Sequence, residues 1–362
     1  MPFHTKSRVR RWARDFHTIA LGGACALAVV GRSLPAQAPP PELAAFLRQR
    51  IGLDSAPLDA IERGEVVVKL LDTQSGRDVA VFGIVRVDVP RAFYVERLQN
   101  FSASLAAPTR PRFGIFHDPP TAADVATATV AEQDVAQMKD CRPGNCVSKL
   151  PATAMQRIHE QIDFSRPDAR DQLTAFFRQR LLEYVSDYRA RGDSALVVYD
   201  DQGGVHASSA FAALLAESPY VYEDIPSLRQ YLADYPHGRL DGAREVLFWA
   251  EDSTAGLRPI VSVNHVVLYS PTETPDATIV AIKQLYANHY FEGAFDLVAL
   301  VDRAAGASVY LVALRRYRFD ELPSGGPLNI RGRVSSKLRD QMRADLERQK
   351  RATELEFRST AR

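Results

Sequence analysis

A strong net charge and catalytic signatures are both missing from this chain of 362 residues. The formal charge is +1, which gives no electrostatic reason to expect nucleic acid or an anionic membrane surface as a partner. The sequence has no G-x-S-x-G nucleophile motif, and the glycine pairs at 203–204 and 325–326 lack the spacing of a phosphate-binding loop. These absences argue against the common serine hydrolases and phosphate-loop enzymes.

Cysteine is also scarce, with three residues in the whole chain. Cys25 lies in an apolar N-terminal stretch, which leaves Cys141 and Cys146 in the run CRPGNC. In an oxidising compartment, a pair this close around a Pro-Gly-Asn turn favours a disulfide. Free thiols and a redox pair are the alternatives, while a metal site would need further soft ligands. We therefore expect a Cys141–Cys146 disulfide, no metal site and no cofactor.

Apolar runs long enough to span a membrane are absent as well. The uncharged run at 18–31 has about 14 residues, against roughly 20 for a helix that crosses a bilayer. Arginines precede this run, and the small-x-small site Ala36-Gln37-Ala38 follows it, an order typical of a secretory signal peptide. We expect a signal peptide over 1–38, cleaved near Ala36 or Ala38, and a periplasmic or secreted protein without a stable membrane span. An uncleaved N-terminal anchor is the alternative.

The first two thirds of the remaining chain mix strands with helices. Periodicity in 168–191 predicts a long helix that ends before Gly192, while 121–150 is poor in large hydrophobic residues and is expected to be mostly irregular. We expect a spacer with short helices at 39–63 and a helical insert at about 150–240. The other predicted elements are strands at 65–72, 78–89, 112–117 and 195–199 and helices at 90–99, 206–217 and 226–235.

The last third is rich in strand-forming residues and ends in a helix. The predicted strands are 245–251, 259–269, 278–292, 295–303 and 309–319, and their hairpin-like spacing favours antiparallel pairing. Val334, Leu338, Met342 and Leu346 form the apolar row of a helix predicted at 335–354. The predicted class is α+β, with a curved, mainly antiparallel sheet and a long C-terminal helix in one domain over 64–356. A disordered tail is expected at 357–362.

Five segments carry a resemblance to a known architecture: GEVVVKLLD, DVAVFGIVRVDVPRAFYVERL, PIVSVNHVVLY, IVAIKQLYANHYFEGAFDLVALV and the helix after Gly332. Their order resembles that of START and Bet v 1-like domains, which have the helix-grip fold. The resemblance implies a sheet that wraps the C-terminal helix, an apolar cavity and the binding of lipids or other apolar molecules. It implies no fixed set of catalytic residues.

Aromatic and polar side chains of the last third are the candidate ligand-binding residues. If the predicted strands line one cavity, His265 and His289 could meet there as an acid/base pair, whereas hydrogen-bonded core histidines are the structural alternative. Aromatic side chains would line the pocket, and amides would supply directional hydrogen bonds. The candidates are Trp249, His265, Gln284, Tyr286, Asn288, His289 and Tyr290.

We therefore expect a protein that binds an apolar or lipid-like small molecule between the sheet and the C-terminal helix, without catalysis. One alternative is a cavity enzyme that uses His265 and His289. Another is an envelope scaffold that docks a protein partner through the insert at about 150–240, which would require an exposed apolar patch there.

Overall fold

An eight-stranded antiparallel sheet organises the computed structural model, which describes residues 39–100, 110, 112–253, 257–303, 306–323 and 329–360. The predicted signal peptide lies outside these residues. The strands, in chain order, are β1 (Val67–Leu71), β2 (Asp78–Val87), β3 (Arg112–Ile115), β4 (Val198–Tyr199), β5 (Val205–His206), β6 (Arg244–Asp252), β7 (Ile260–Tyr269), β8 (Ala277–Ala287), β9 (Phe291–Asp302) and β10 (Val309–Phe319). Within the sheet the order is β1-β2-β10-β9-β8-β7-β6-β3, and β4 pairs with β5 separately.

Helices cover the sheet and fill the insert. In chain order they are α1 (Pro41–Gln49), α2 (Ser55–Glu62), α3 (Arg91–Gln99), α4 (Glu132–Met138), α5 (Ala152–Gln161), α6 (Ala169–Arg191), α7 (Ala207–Ala216), α8 (Pro219–Glu223), α9 (Pro226–Asp234) and α10 (Ile330–Thr360). The structure thus confirms the α+β class, the mainly antiparallel sheet, the long C-terminal helix and the helical insert. Among the described residues, no helix combines the length and the apolar character that crossing a membrane requires.

The two faces of the sheet have different coverings. Side chains alternate along each strand, so Phe82, Val267 and Phe295 point to one face, where they pack with α1, α2, α7 and α9. We call this the insert face. Val81, Val85 and Ala313 point to the other face, where they pack with α10; we call it the terminal-helix face. Because both faces are covered there, every residue of β7 is buried, including the polar residues Ser262, Asn264 and His265.

The C-terminal helix lies on β1 and β2, at one end of the strand order. Its predicted apolar row is confirmed, since Met342 and Leu346 are fully buried against β2. Gly83 permits this close approach, because a Cβ atom there would lie 2.6 Å from Leu346 Cδ1. The helix continues to Thr360, and Phe357 packs on Phe93 with ring centroids 5.0 Å apart. The disordered tail predicted from residue 357 was therefore wrong as far as Thr360.

Helix α6 forms as predicted and ends at Gly192, which has a φ of 57°. A side chain could not replace this glycine, because a Cβ atom would lie 1.8 Å from the Tyr235 carbonyl oxygen. The stretch 121–150 is more ordered than predicted, with a 3₁₀ turn at Ala122–Val125 and helix α4. Acidic residues in the first turn of α4 favour its N-terminus, and Met138 anchors it in a small apolar cluster.

The predicted cysteine pair is present next to this helix. Cys141 and Cys146 are joined as a disulfide, with Cα atoms 4.5 Å apart. The backbone amide of Asn145 donates to the Arg142 carbonyl, which closes the turn between them. The bridge closes the short connection that leads into residues 147–150, where the Lys149 amide donates to the carbonyl of Asn288, just after β8.

The long strand predicted at 278–292 is interrupted. β8 ends at Ala287, β9 begins at Phe291, and the three residues between them form a turn in which Tyr290 has a φ of 64°. This left-handed conformation is uncommon for a bulky residue and cannot be read from the apolar pattern. The predicted placement of His289 on a strand was therefore wrong.

Candidate functional site

Helix α10 covers only part of the terminal-helix face, and the rest of that face is partly exposed to water. Asp296 on β9 and Arg315 on β10 have side chains that are 23% and 22% exposed, although both strands are in the interior of the sheet. On the insert face of the same region, Lys283 and Phe295 are 0% and 1% exposed. The partly exposed side chains of this terminal-helix strip are Ile282, Gln284, Asp296, Val298, Arg315 and Tyr317. We call this strip the sheet–helix groove.

The strand register brings these side chains together. Arg315 lies opposite Asp296, and Asp296 lies opposite Ile282. Tyr317 and Gln284 are two residues further along their strands, so they point to the same face. Residues at opposite and diagonal positions of neighbouring strands are within reach of long side chains. The groove floor therefore combines two charged, one amide, one phenol and two aliphatic groups within a small area.

Charged residues border the groove on two sides. On the α10 side, Arg315 Nη1 donates to Asp345 Oδ2 at 3.0 Å. On the β6 side, Arg110 Nε donates to Asp252 Oδ1 at 3.2 Å. Aliphatic surface completes the floor, because Ile282, Val298 and Leu98 of α3 pack against the apolar cluster beneath β6 and β7.

Three of the buried polar atoms that lack a hydrogen-bond partner lie in the groove, and others, such as Thr129 Oγ1 and Thr274 Oγ1, lie elsewhere in the described residues. Within the described part of the chain, Gln284 Oε1, Asp296 Oδ1 and Arg315 Nε are inaccessible to water and meet no hydrogen-bond partner. Arg315 Nε approaches Asp296 Oδ2 only to 3.5 Å. Most buried polar atoms in folded proteins are paired, so each exception requires an explanation. We refer to these as the three groove atoms.

Electrostatics make Asp296 the most perturbed acid of the groove. Burial raises the pKa of Asp296 to about 6, although Arg315 and Arg110 oppose this shift. Burial also raises the pKa of Asp252, with Arg110 opposing. The Asp296 carboxylate is thus surrounded by protein yet in contact with water, which is the environment of a group inside a binding groove.

The structure places one of the seven predicted site residues, Gln284, in the groove. Trp249, His265 and Tyr286 lie on the insert face instead. Trp249 is fully buried and donates from Nε1 to the Asp124 carbonyl at 2.7 Å, and Tyr286 donates to the Lys149 carbonyl at 3.1 Å. A register shift after Val263 explains part of the difference, because β8 gains one residue there and reverses its alternation.

His265 is held in a closed hydrogen-bond network under the insert. The Tyr188 hydroxyl donates to His265 Nδ1 at 3.1 Å, and His265 Nε2 lies 3.3 Å from Glu245 Oε2. Tyr231 completes the network by donating to the same carboxylate. Burial lowers the pKa of His265, while Glu245 opposes that shift. The pattern fits a neutral imidazole with its proton on Nε2, which is the structural alternative for this residue.

Asn288, His289 and Tyr290 form the β8–β9 turn, where they meet α4. His289 Nε2 lies 3.2 Å from Asp134 Oδ2, and Arg258 Nη1 donates to Asp134 Oδ1 at 2.7 Å. Burial acts to raise the pKa of Asp134, but the hydrogen bonds from His289 and Arg258 outweigh it and lower that pKa. Asn288 Oδ1 accepts from the Val261 amide at 2.7 Å, and the Tyr290 hydroxyl accepts from the Arg258 amide at 3.0 Å.

A cavity of about 30 Å³ lies beside this turn, lined in part by Asp134, Glu251, Tyr286 and Asn288. A water molecule needs roughly 10–15 Å³ of such space, so the cavity suits one or two waters and not a lipid. Its acids are also engaged, because Glu251 accepts from Arg112 Nη2 at 2.6 Å. The cavity is consistent with a hydrated contact between α4 and the sheet.

The two histidines are not brought together. His265 lies opposite Lys283, and the five residues from Lys283 to Ala287 span about 13 Å along β8 before the turn with His289 begins. Their hydrogen-bond partners also differ, since His265 contacts Tyr188 and His289 contacts Asp134. The described residues further contain no group of three or more His, Cys, Asp or Glu side chains placed to hold a metal ion.

Comparisons with known proteins do not assign a function, so the geometry of the groove is the main basis for one. The sequence matches neither a protein-family model nor a curated protein sequence. Sequence reasoning missed Asp296, Arg315 and Tyr317, although a signal existed for two of them. Asp296 interrupts the apolar run FDLVALV, and Arg315 follows the apolar run VYLVAL. A charge inside a strand of a covered sheet is costly unless it is paired or functional.

Proposed function

We propose that this protein is exported and that it binds a small apolar or lipid-like molecule with a polar end in the sheet–helix groove. The observation that carries the proposal is a partly exposed floor inside the sheet, on which the side chains of Asp296 and Arg315 are 23% and 22% exposed between aliphatic neighbours. A ligand with a polar end would pair with the accessible atoms of these two side chains. Binding sites for small molecules typically combine apolar walls with a few convergent polar groups, as this groove does.

The apolar part of such a ligand has a suitable surface. Ile282, Val298 and Tyr317 are partly exposed on the floor, and Phe291 packs on Tyr317 with ring centroids 5.6 Å apart. Burying about 150 Å² of apolar ligand surface would contribute roughly 4 kcal/mol before the costs of ordering. A contribution of this size is suitable for binding one aliphatic chain or ring of a ligand, and it is small enough to permit release of the ligand.

Export is proposed from the sequence of residues 1–38, and the Cys141–Cys146 disulfide supports it. Disulfides persist outside the reducing cytosol. Fractionation of bacteria that express the full chain, followed by N-terminal sequencing, tests the proposal. We expect a soluble protein in the periplasm or medium that begins close to residue 37 or 39. A protein that retains residues 1–38 in the membrane fraction would instead support the uncleaved anchor.

Binding can be tested with 1-N-phenylnaphthylamine, a neutral apolar dye that fluoresces in apolar sites. We expect saturable binding to the wild type and at least a tenfold weaker affinity for I282W, because the indole would fill the groove. L355W is the matched control, since it adds the same bulk at a side chain that is 71% exposed on α10. Equal dye binding by I282W and the wild type would remove the groove as the site, and native mass spectrometry would show any co-purified ligand.

The alternatives receive less support. The enzyme hypothesis required His265 and His289 in one cleft, and their surroundings are separate. The scaffold hypothesis required an apolar patch at about 150–240, yet the described large hydrophobic side chains that are exposed, Val147, Leu257, Ile330 and Leu355, lie outside that range. Binding in the groove is therefore the function that the geometry favours.

A further inference from the structure

We propose that the side chains of Lys149 and Asp320 form an intramolecular isopeptide bond, assisted by the carboxyl group of Asp201. The bond would join the segment after the disulfide to the residue that follows β10, and it does not depend on a ligand in the groove. Lys149 Nζ forms an ion pair with Asp320 Oδ1 and lies 3.9 Å from Asp201 Oδ2. One amine is thus placed between two carboxyl groups.

Backbone hydrogen bonds hold the two reacting residues in this position. The Lys149 amide donates to the Asn288 carbonyl at 2.8 Å. The Asp320 amide donates to the Tyr290 carbonyl at 2.9 Å, so the same β8–β9 turn holds both residues. Effective molarities of groups oriented within one molecule can reach about 10⁵–10⁸ M. The amine and the carboxyl group therefore need little further ordering to react.

Water is largely excluded from the amine. The side chains of Lys149 and Asp201 are 3% and 4% exposed, and Lys149 Nζ lies 4.2 Å from the ring centroid of the buried Tyr199. A water-poor environment favours neutral over charged forms of amines and carboxyl groups, and the neutral forms are the ones that condense. The Asp320 side chain is 18% exposed, so the water that the reaction releases can leave.

Lys149 is the single amine that compensates both carboxyl groups. Burial raises the pKa of Asp201, while the charge of Lys149 opposes this shift and the charge of Asp320 adds to it. The shift favours a protonated Asp201, which leaves one ammonium and one carboxylate in the cluster. Their condensation would remove both charges from a region where charges are costly.

The neighbouring charges leave this pair intact. Burial raises the pKa of Glu292, and Lys149 and Asp320 are close enough to affect that pKa as well. Glu292 is itself paired with Arg77, and Arg318 donates to another acid at 2.6 Å. Within the described residues, Lys149 is therefore the cation that compensates Asp320.

The reaction releases one water molecule and needs no other reactant. Lys149 first gives a proton to Asp320, which produces a neutral amine and a carboxylic acid, and the Nζ lone pair then attacks Cγ of Asp320. As the C–N bond forms, Asp201 donates its proton to the departing hydroxyl oxygen and takes one from Nζ. The C–O bond breaks, water leaves, and Asp201 is regenerated in its protonated form. The product is a neutral amide.

Mass spectrometry of the exported protein tests the bond. After reduction of the disulfide, the wild type should be lighter than its sequence by about 18 Da, the mass of one water. Trypsin should leave Lys149 uncut, in a branched peptide that also contains Asp320. K149R keeps the positive charge but replaces the amine with a guanidinium, so it should have its full sequence mass. A wild type that still has its full mass after a day at pH 7.5 would overturn the proposal.

D201N tests the assisting acid, because it keeps both reacting groups and removes the proton carrier. We expect the linked fraction to form at least tenfold more slowly in D201N than in the wild type, measured at set times after induction. D276N is the matched control, since it removes an equal charge from an exposed turn. Equal rates in D201N and the wild type would overturn the role of Asp201 while the mass loss still upheld the bond. A mass loss located at other residues would overturn the assignment to Lys149 and Asp320.

Discussion

Lys283, in the middle of β8, is completely buried and forms an ion pair with Asp193 in the turn that follows α6. Lys283 also lies opposite His265, which accepts a hydrogen bond from Tyr188 of α6. The insert is therefore attached to the sheet by polar contacts as well as by apolar packing. The lysine and the histidine on this covered face therefore both have polar partners from the insert or the sheet.

We expect D193A to destabilise the protein by about 2–3 kcal/mol, because it leaves a buried ammonium without its partner. This expected loss of stability is smaller than for a fully buried ion pair, since the Asp193 side chain is 32% exposed. K283M is the matched control and should cost less than D193A, because it removes the charge itself. Urea denaturation at pH 7 measures both variants.

The pH dependence of the stability of D193A tests whether the unpaired charge of Lys283 causes the loss. Burial lowers the pKa of Lys283, and Asp193 opposes this shift, so removal of Asp193 lowers the pKa further. A lysine whose pKa is depressed in the folded state destabilises the fold as the pH falls through that pKa. D193A should therefore recover stability as the pH rises toward 10, whereas D193A/K283M should not. A pH-independent loss in D193A would contradict this role for Lys283.

Periodicity predicted most of the secondary structure, because local spacing reflects which face of an element is buried. The long helix before Gly192 and the apolar row of Val334, Leu338, Met342 and Leu346 were both predicted from such spacing. Helix α4 was missed because its apolar contacts are few and its N-terminus depends on acidic residues. The end of α10 was missed because Phe357 gains its partner, Phe93, only from tertiary packing.

The site was harder to predict than the fold. Gln284, one of the candidate residues, lies in the groove, but Tyr286 points to the opposite face because of the register shift near Val263. Asp296 and Arg315 are far apart in sequence and become neighbours only through the pairing of β9 with β10. Contacts between residues far apart in sequence decide which face α10 covers and how much of that face stays exposed. No local sequence pattern predicts these contacts.

Asp296 should make the stability of the ligand-free protein fall as the pH rises. Burial raises its pKa from 3.8 to about 6, so its contribution is fully present below pH 3.8 and is lost as the pH rises through about 6. Relative to D296N, the wild type should lose about 1 kcal/mol between pH 5 and pH 7.5. Guanidinium denaturation at both pH values measures this. Parallel pH dependences of the two proteins would show that Asp296 does not titrate in this range.

The Cys141–Cys146 disulfide should be complete in the exported protein. Thiol labelling after unfolding should find no free cysteine in the two positions unless a reductant is added first. C141A/C146A should lose about 2 kcal/mol of stability, the entropic value for so short a loop. The loss should disappear when both proteins are compared under reducing conditions. Labelling of both thiols without reductant would show that the pair is not bridged.

Gly83 should be required for the docking of α10 on β2. G83A would place a Cβ atom 2.6 Å from Leu346 Cδ1 and 2.9 Å from Met342 Cγ, so the helix would have to move or the side chains would have to repack. We expect a loss of about 1–3 kcal/mol, as for other overpacked cores. G76A is the matched control, because a Cβ atom at Gly76 would have no neighbour within 4 Å.

A second substitution separates overpacking from a general weakening of the strand. L346A removes the atoms nearest to the new Cβ. The double variant G83A/L346A should therefore lose less stability than the sum of the losses of the two single variants. The interaction energy from this double-mutant cycle should be about 1 kcal/mol or more, measured by urea denaturation at pH 7. Strictly additive losses would mean that Gly83 and Leu346 are not in contact. In that case α10 would not rest on β2, and the border of the sheet–helix groove would have to be redrawn.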